Sequence, residues 1–346
     1  MAREKMIRVL VVDDSILMRK IIASGISVDM EIEVIGTAED PYIARDKILE
    51  LEPDVITLDI NMPKMDGIEF LKKLIPQYPV PVVVVSSRSA KIFDALSAGA
   101  IDFVTKPGIN DDTDLNYFVN ELISKIKIAS VSSVNKNMQN LNDSLGSEKY
   151  SKNLRDSIIA IGASTGGTEA IASILKELKN DLPGILIVQH MPPVFTQMYA
   201  DRLNRICPMD VKEAENGDIV YPGRVLIAAG EYHMSLIKEN GAYKVSSKKG
   251  PRVNSHCPSV DVLFDSVAEK CPKNSMGIIL TGMGDDGAKG LLHMREKGAY
   301  TVGQDEKTSI VYGMPMVAYN IGAVTKRCSL DLIPKMIYKW INNNIE

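Results

Sequence analysis

The apolar positions in the first third of the chain fall into short runs, most of which stop at a polar residue. Ile7-Arg8-Val9-Leu10-Val11-Val12 ends in Asp13-Asp14, Val55-Ile56-Thr57-Leu58 in Asp59, and Val82-Val83-Val84-Val85 in Ser86-Ser87. Ala100-Ile101-Asp102-Phe103-Val104 ends in Thr105-Lys106-Pro107, and Ile32-Glu33-Val34-Ile35 supplies a fifth run. Between them the spacing is helical: Ile16, Leu17, Ile21 and Ile22, then segments opening at Pro41 and at Gly67, and lastly Leu115, Phe118, Val119, Leu122, Ile123 and Ile126. Runs apolar on both faces and separated by helices predict a doubly wound, five-stranded parallel sheet.

From Ala129 to Asn153 the pattern gives way to Ser, Asn, Lys and Gln with isolated apolar residues, a composition that buries too little surface to fix a fold. Val131, Val134, Met138 and Leu141 could line at most one weak helix. We divide the chain into a first domain at 1–127, a connector at 128–154 and a second domain at 155–346. The second domain again alternates. Ile158 to Ile161, Gly184 to His190, Met276 to Leu280 and a run near Tyr300 read as strands. Thr168 to Leu178, a segment started by Pro192-Pro193, Ser259 to Lys270 and Leu330 to Trp340 read as helices. A less regular stretch, Val211 to Ser247, carries a strand pattern at Val225 to Ala228 and an Asn240-Gly241 turn that suggests a hairpin. A second α/β domain, doubly wound and mostly parallel, follows.

Ligands of such sheets bind beyond the carboxyl ends of the strands. In the first domain that rule gathers Asp13, Asp14, Asp59, Ser86 and Lys106 in one crevice. Three carboxylates there repel one another unless a cation joins them, and hard oxygen ligands suit Mg²⁺. In the second domain it gathers Ser164, His190 and Asp285-Asp286. Ser164 sits in Gly162-Ala163-Ser164-Thr165-Gly166, a fit to the G-x-S-x-G nucleophile elbow and equally to a glycine-rich strand-helix turn with a serine N-cap. A serine, a histidine and an acid on three strand ends make a candidate relay in which the hydroxyl attacks, the imidazole takes the proton and the carboxylate orients the imidazole. The order Ser, His, Asp disfavours an α/β-hydrolase, and Gly162 to Gly167 does not spell a dinucleotide loop. His233, His256 and His293 fall in loops or a helix and read as ordinary surface or packing residues.

Composition narrows the class. With 346 residues, 45% hydrophobic and 24% charged, the chain can build two cores. Its net charge of −4 lies mainly in the first domain, and neither half is basic enough for a nucleic-acid binder. No apolar run reaches the ~18 residues of a membrane span, and Met1 to Arg8 lacks a signal-peptide core, so a cytoplasmic protein with no membrane insertion is expected. The four cysteines show no zinc spacing and are read as reduced thiols.

Residues 5–127 resemble a response-regulator receiver domain. The resemblance implies Asp59 as phosphoacceptor, Mg²⁺ held by Asp13, Asp14, Asp59 and the carbonyl of Asn61, Lys106 on the phosphoryl group, and Ser86 and Phe103 as switch residues. It also implies a cis Lys106-Pro107 bond. Residues 155–346 resemble the catalytic domain of the chemotaxis protein-glutamate methylesterases. The carriers are Gly162-Ala163-Ser164-Thr165-Gly166-Gly167, Gln189-His190-Met191-Pro192 and Thr281-Gly282-Met283-Gly284-Asp285-Asp286-Gly287. This implies Ser164 as nucleophile, His190 as base, Asp286 rather than Asp285 as orienting acid, the N–H of Met283 as oxyanion donor and Thr165 as support. No cofactor is implied in that domain. The chain departs from the family at Cys257, where an arginine is usual.

The activity so implied is hydrolysis of glutamate γ-methyl esters on chemoreceptors with release of methanol, and deamidation of receptor glutamines. A chemotaxis histidine kinase would phosphorylate Asp59, methyl-accepting chemoreceptors would be the substrate, and the protein would be recruited to their membrane clusters. An acidic receiver on a flexible tether further suggests that the unmodified receiver covers the Ser164 cleft. Two rivals stand: a phosphorylation-gated transcription regulator, which the near-neutral α/β output disfavours, and a non-catalytic receptor scaffold.

Overall fold

A computed structural model describes residues 6–87, 91–107, 112–132 and 154–344. The chain divides into two compact units, Met1–Gln139 and Asn140–Glu346. The boundary between them, and nearly all of the connector including Val134, Met138 and Leu141, lies outside the described residues.

The first unit runs β1 (Ile7–Val12), α1 (Ile16–Ile26), β2 (Ile32–Ala38), α2 (Pro41–Leu51), β3 (Val55–Leu58), α3 (Gly67–Gln77), β4 (Val82–Ser86), α4 (Lys91–Ser97), β5 (Asp102–Thr105) and α5 (Asp112–Ser130). The expected five strands pair in parallel in the order β2-β1-β3-β4-β5. Every residue of β3 and β4 is buried, as strands covered by helices on both faces require. Helix starts follow local chemistry. The hydroxyl of Ser15 accepts from the Met18 N–H, Asp40 from Tyr42 and Ile43 ahead of Pro41, and Asp66 from Ile68. The strand order reverses between β1 and β3, so the crevice opens where Asp13-Asp14 and Asp59 emerge.

The second unit runs β6 (Ile158–Ala163), α6 (Gly167–Glu177), β7 (Gly184–Gln189), α7 (Phe195–Ile206), β8 (Asp210–Glu213), β9 (Arg224–Ile227), β10 (His233–Glu239) and β11 (Ala242–Lys248). It continues through α8 (Val260–Lys270), β12 (Ser275–Ile279), α9 (Ala288–Glu296), β13 (Tyr300–Gln304), α10 (Met314–Asn320), β14 (Lys326–Cys328) and α11 (Ile333–Asn344). Seven strands form one parallel sheet in the order β14-β13-β12-β6-β7-β9-β8, and β10 and β11 stand apart as an antiparallel hairpin. Asn240 and Gly241 turn that hairpin at φ 50° and 79°, the left-handed pair a two-residue loop demands. One apolar cluster ties α8 (Val260, Leu263, Phe264, Val267), α9 (Leu291, Met294) and the hairpin (Met234, Leu236, Val245) to Leu186, Val188 and Ile279 of the sheet.

Two sequence expectations shift. Pro192-Pro193 do not start α7. Val194 takes φ 73°, which is not helical, and the helix begins at Phe195. The Lys106-Pro107 bond is not cis; among the described residues the cis peptide is Cys257-Pro258. No helix among the described residues is long and apolar enough to cross a membrane.

Candidate active site

The order of the second sheet reverses at β6, which has β7 on one side and β12 on the other. Ser164 is the first residue beyond β6 and His190 the first beyond β7, directly after the register partners Ala163 and Gln189. The His190 N–H donates to Ala163 O (3.1 Å), and the Ser164 N–H donates to Thr281 O at the end of β12 (3.0 Å). Serine and histidine therefore stand side by side on one rim. The turn into α6 is tight: the Gly167 N–H donates back to Ser164 O (2.8 Å), and Gln189 Nε2 donates to the same oxygen (2.9 Å). Ser164 is not the helix cap; that place is held by Gly166 at φ 77°, with no side-chain cap. The hydroxyl of Ser164 is thus spared capping duty.

Asp285 is exposed and Asp286 is 2% exposed, so burial separates two acids that spacing alone leaves equivalent. His190 Nε2 lies 2.8 Å from Asp286 Oδ2, with the imidazole 8% exposed. Other donors converge on the same carboxylate. The Val260 N–H donates to Oδ2 (2.7 Å), while Ser259 Oγ (2.7 Å), Asn254 Nδ2 (2.9 Å) and the Asp261 N–H (3.2 Å) donate to Oδ1. Burial alone would push the Asp286 carboxyl up, but His190 and these hydrogen bonds outweigh it and hold the group well below the usual carboxylate range. An anion fixed this way wants a donor on the facing imidazole nitrogen. That places the proton of neutral His190 on Nε2 and leaves Nδ1 as the lone pair; Nδ1 is buried and without a partner among the described residues.

Thr281 to Gly287 wraps the other side of Ser164. A Cβ on Gly282 would fall 2.7 Å from Ser164 Cβ, so only glycine lets this loop approach the serine. The next residue is Met283, half exposed, whose backbone N–H donates to no group among the described residues. Thr165 is buried at the α6 start, and its carbonyl accepts from Thr281 Oγ1 (3.0 Å), bracing the two loops.

Of the remaining histidines, two are structural. His233 accepts from the Ser259 N–H through Nδ1 (3.3 Å) and meets Pro251 O through Nε2 (2.8 Å); His293 lies between Asp265 (2.9 Å) and Glu269 (3.1 Å) on the helix surface. The third packs on the candidate site, a place its sequence position does not show. His256 stacks on His190 with ring centroids 3.7 Å apart and planes 9° apart. Asn254 and Ser259 were also missed, because their contacts with Asp286 span about thirty residues and no local pattern encodes them. The cysteines are free thiols, as expected.

In the first unit, ligand atoms of Asp13, Asp14 and Asp59 lie within 4.8 Å of one another. Lys106 Nζ bridges Asp13 (2.7 Å) and Asp59 (2.8 Å), and the Asn61 N–H donates to Asp59 (3.3 Å). Burial raises the Asp59 carboxyl and Asp13 adds to the rise, with Lys106 opposing. Burial would lower the Lys106 ammonium, but its two carboxylate partners win and raise it. Ser86 Oγ is wholly buried and unpartnered among the described residues, and Phe103 is buried in β5. Three hard oxygens, two buried and one (Asp14) open to solvent, fit a Mg²⁺ ion that keeps waters.

Comparison with known proteins finds matches for both halves of the chain. Residues 159–337 match the CheB methylesterase family and residues 9–116 the response regulator receiver domain. A protein-glutamate methylesterase/protein-glutamine glutaminase of Syntrophomonas wolfei is 55% identical over 98% of this chain and 99% of its own length. One from Shigella flexneri is 45% identical over 97% of both. The crystal structure of the Thermotoga maritima CheB methylesterase catalytic domain is 36% identical, with a TM-score of 0.52, over 53% of this chain and 98% of that one. The chain belongs to the CheB methylesterase family, with a response-regulator receiver domain in front of the methylesterase domain.

Proposed function

We propose that the protein hydrolyses glutamate γ-methyl esters on chemoreceptors and deamidates receptor glutamines at the same site, under control of phosphorylation at Asp59. The observation that carries the reading is the 2.8 Å contact of His190 Nε2 with Asp286, which leaves the buried Nδ1 unpartnered among the described residues, on a residue that neighbours Ser164 at the sheet rim. Ser164 Oγ attacks the ester carbonyl and its proton passes to His190 Nδ1, giving an imidazolium between Asp286 and the substrate. The oxyanion forms next to the free N–H of Met283. Collapse breaks the C–O bond, and methanol leaves with the proton returned by His190. Water, deprotonated by the same nitrogen, then cleaves the acyl-serine to glutamate. With glutamine the leaving group is ammonia and the product is the same. Thr165 supports the loop that carries the serine.

In the receiver, Asp59 is the phosphoacceptor and a chemotaxis histidine kinase the donor. Asp13, Asp14, Asp59 and the Asn61 carbonyl would hold Mg²⁺, which when bound supplies charge neutralisation to the phosphoryl group. Lys106, already between Asp13 and Asp59, adds a second positive charge, and the unsatisfied Ser86 hydroxyl is available to a phosphoryl oxygen. Phe103 is the accompanying switch aromatic. The second domain needs no cofactor for this chemistry. A cytoplasmic enzyme recruited to membrane receptor clusters in sensory adaptation accords with its substrate. Methanol release from methylated receptor membranes, with and without a small phosphodonor, tests the reading. Release that rises with the donor supports it, and no release under either condition overturns it.

A further inference from the structure

We infer that His256 is a positioning residue for the esterase reaction, an aromatic plate that fixes the plane of the His190 imidazole; the inference rests on the Ser164–His190–Asp286 reading. Backbone pairing builds the plate's mount. The Val253 N–H donates to His256 O and the His256 N–H donates to Val253 O, both at 2.9 Å. The two residues between them, Asn254 and Ser255, take φ 49° and 68°. Two left-handed residues in succession define a tight turn that non-glycine side chains adopt at a cost. What the strained turn achieves is visible at both ends. Asn254 Nδ2 donates to Asp286 Oδ1 (2.9 Å) and to Asp261 Oδ2 (2.6 Å), while the His256 ring lies flat on His190.

The geometry divides the work. The hydrogen bond from Nε2 to Asp286 sets the direction of the His190 ring within its own plane but leaves the ring free to tilt about that bond. A parallel ring at 3.7 Å removes the tilt. With both constraints the plane that carries the unpartnered Nδ1 is fixed, and proton transfer to that nitrogen depends on such fixed orientation. One turn therefore grips both members of the His190–Asp286 pair.

The test uses the full-length chain on receptor membranes carrying tritiated methyl esters, with methanol release as readout and circular dichroism as the folding check. His256→Ala should lower kcat by roughly tenfold with KM unchanged, the scale of one lost aromatic contact in the transition state. His256→Phe, which restores a flat ring without a titrating nitrogen, should recover most of that loss. His256→Ala within twofold of the native kcat, or His256→Phe as slow as His256→Ala, would overturn the inference. If His256→Ala does not fold, His256→Phe decides alone: near-native kcat supports the plate and an inactive folded protein refutes it. His190→Ala is run beside them. An active His190→Ala protein sinks the relay and the plate together, whereas an inactive one with a native-like His256→Ala sinks the plate only.

Discussion

His190 meets Asp286 through Nε2, at 2.8 Å, and not through Nδ1. The familiar serine-protease wiring has the acid on Nδ1 and the serine on Nε2. In the proposed relay the roles of the two nitrogens are exchanged, and the tautomer it requires is Nε2–H. Asp286→Asn should favour the wrong tautomer, because an amide would also have to face the Val260, Asp261, Ser259 and Asn254 donors. We expect kcat to fall by about 10⁴-fold, the scale of the equivalent change in a protease triad. Nitrogen-15 spectra of the imidazoles check the cause: native His190 should show a protonated Nε2 and a bare Nδ1.

Acid should unfold the methylesterase domain partly through the same carboxylate. Asp286 is held below its ordinary range in the folded protein, so the stability it contributes is complete above the unfolded carboxyl range and is lost as pH falls from there through the folded value. The difference in unfolding free energy between native protein and Asp286→Asn should be largest near neutrality and shrink steadily below about pH 4. Denaturant titrations across that range measure it; a difference independent of pH would contradict the assignment.

Much of this was legible in the sequence because the strands are buried on both faces. Ile158 to Ile161 and Val82 to Val85 announce themselves as apolar runs, and the polar residue that ends each one marks the rim. The elements that escaped notice lack that signal. In β8 only Val211 is buried and its neighbours are charged, as an edge strand allows; β14 is the three residues Lys326, Arg327 and Cys328. The start of α7 was misplaced because proline in a first turn is a common signal, and nothing local shows that Val194 turns left-handed. Ser164, His190 and the acids could be gathered by the strand-end rule. The grip on Asp286 and the stack on His190 could not, since Asn254, His256 and Ser259 act from a loop whose approach depends on the packing of α8.

Gly162 offers a probe of that packing. A Cβ there would fall 2.1 Å from Val260 Cγ1, and the Val260 N–H donates to Asp286. Gly162→Ala should cost about 1–3 kcal/mol through overpacking. It should also lower esterase activity by moving Val260 off the carboxylate. Calorimetry of the full chain should show the methylesterase-domain transition shifted down with the receiver transition unmoved.

Chelation separates the two units chemically. Removing Mg²⁺ with EDTA should abolish labelling of Asp59 by a small phosphodonor, because Asp13, Asp14 and Asp59 then keep their mutual repulsion with Lys106 alone to offset it. Basal ester hydrolysis should be unchanged. Loss of basal activity on chelation would place a required metal where the Ser164 site has none assigned.

The most direct measurement is methanol release from methylated receptor membranes by native protein and by Ser164→Ala, each confirmed folded. With Ser164 as the nucleophile, release should fall by at least about 10³-fold, as when a triad nucleophile is removed. Hydrolysis by Ser164→Ala at a rate near the native one would contradict it.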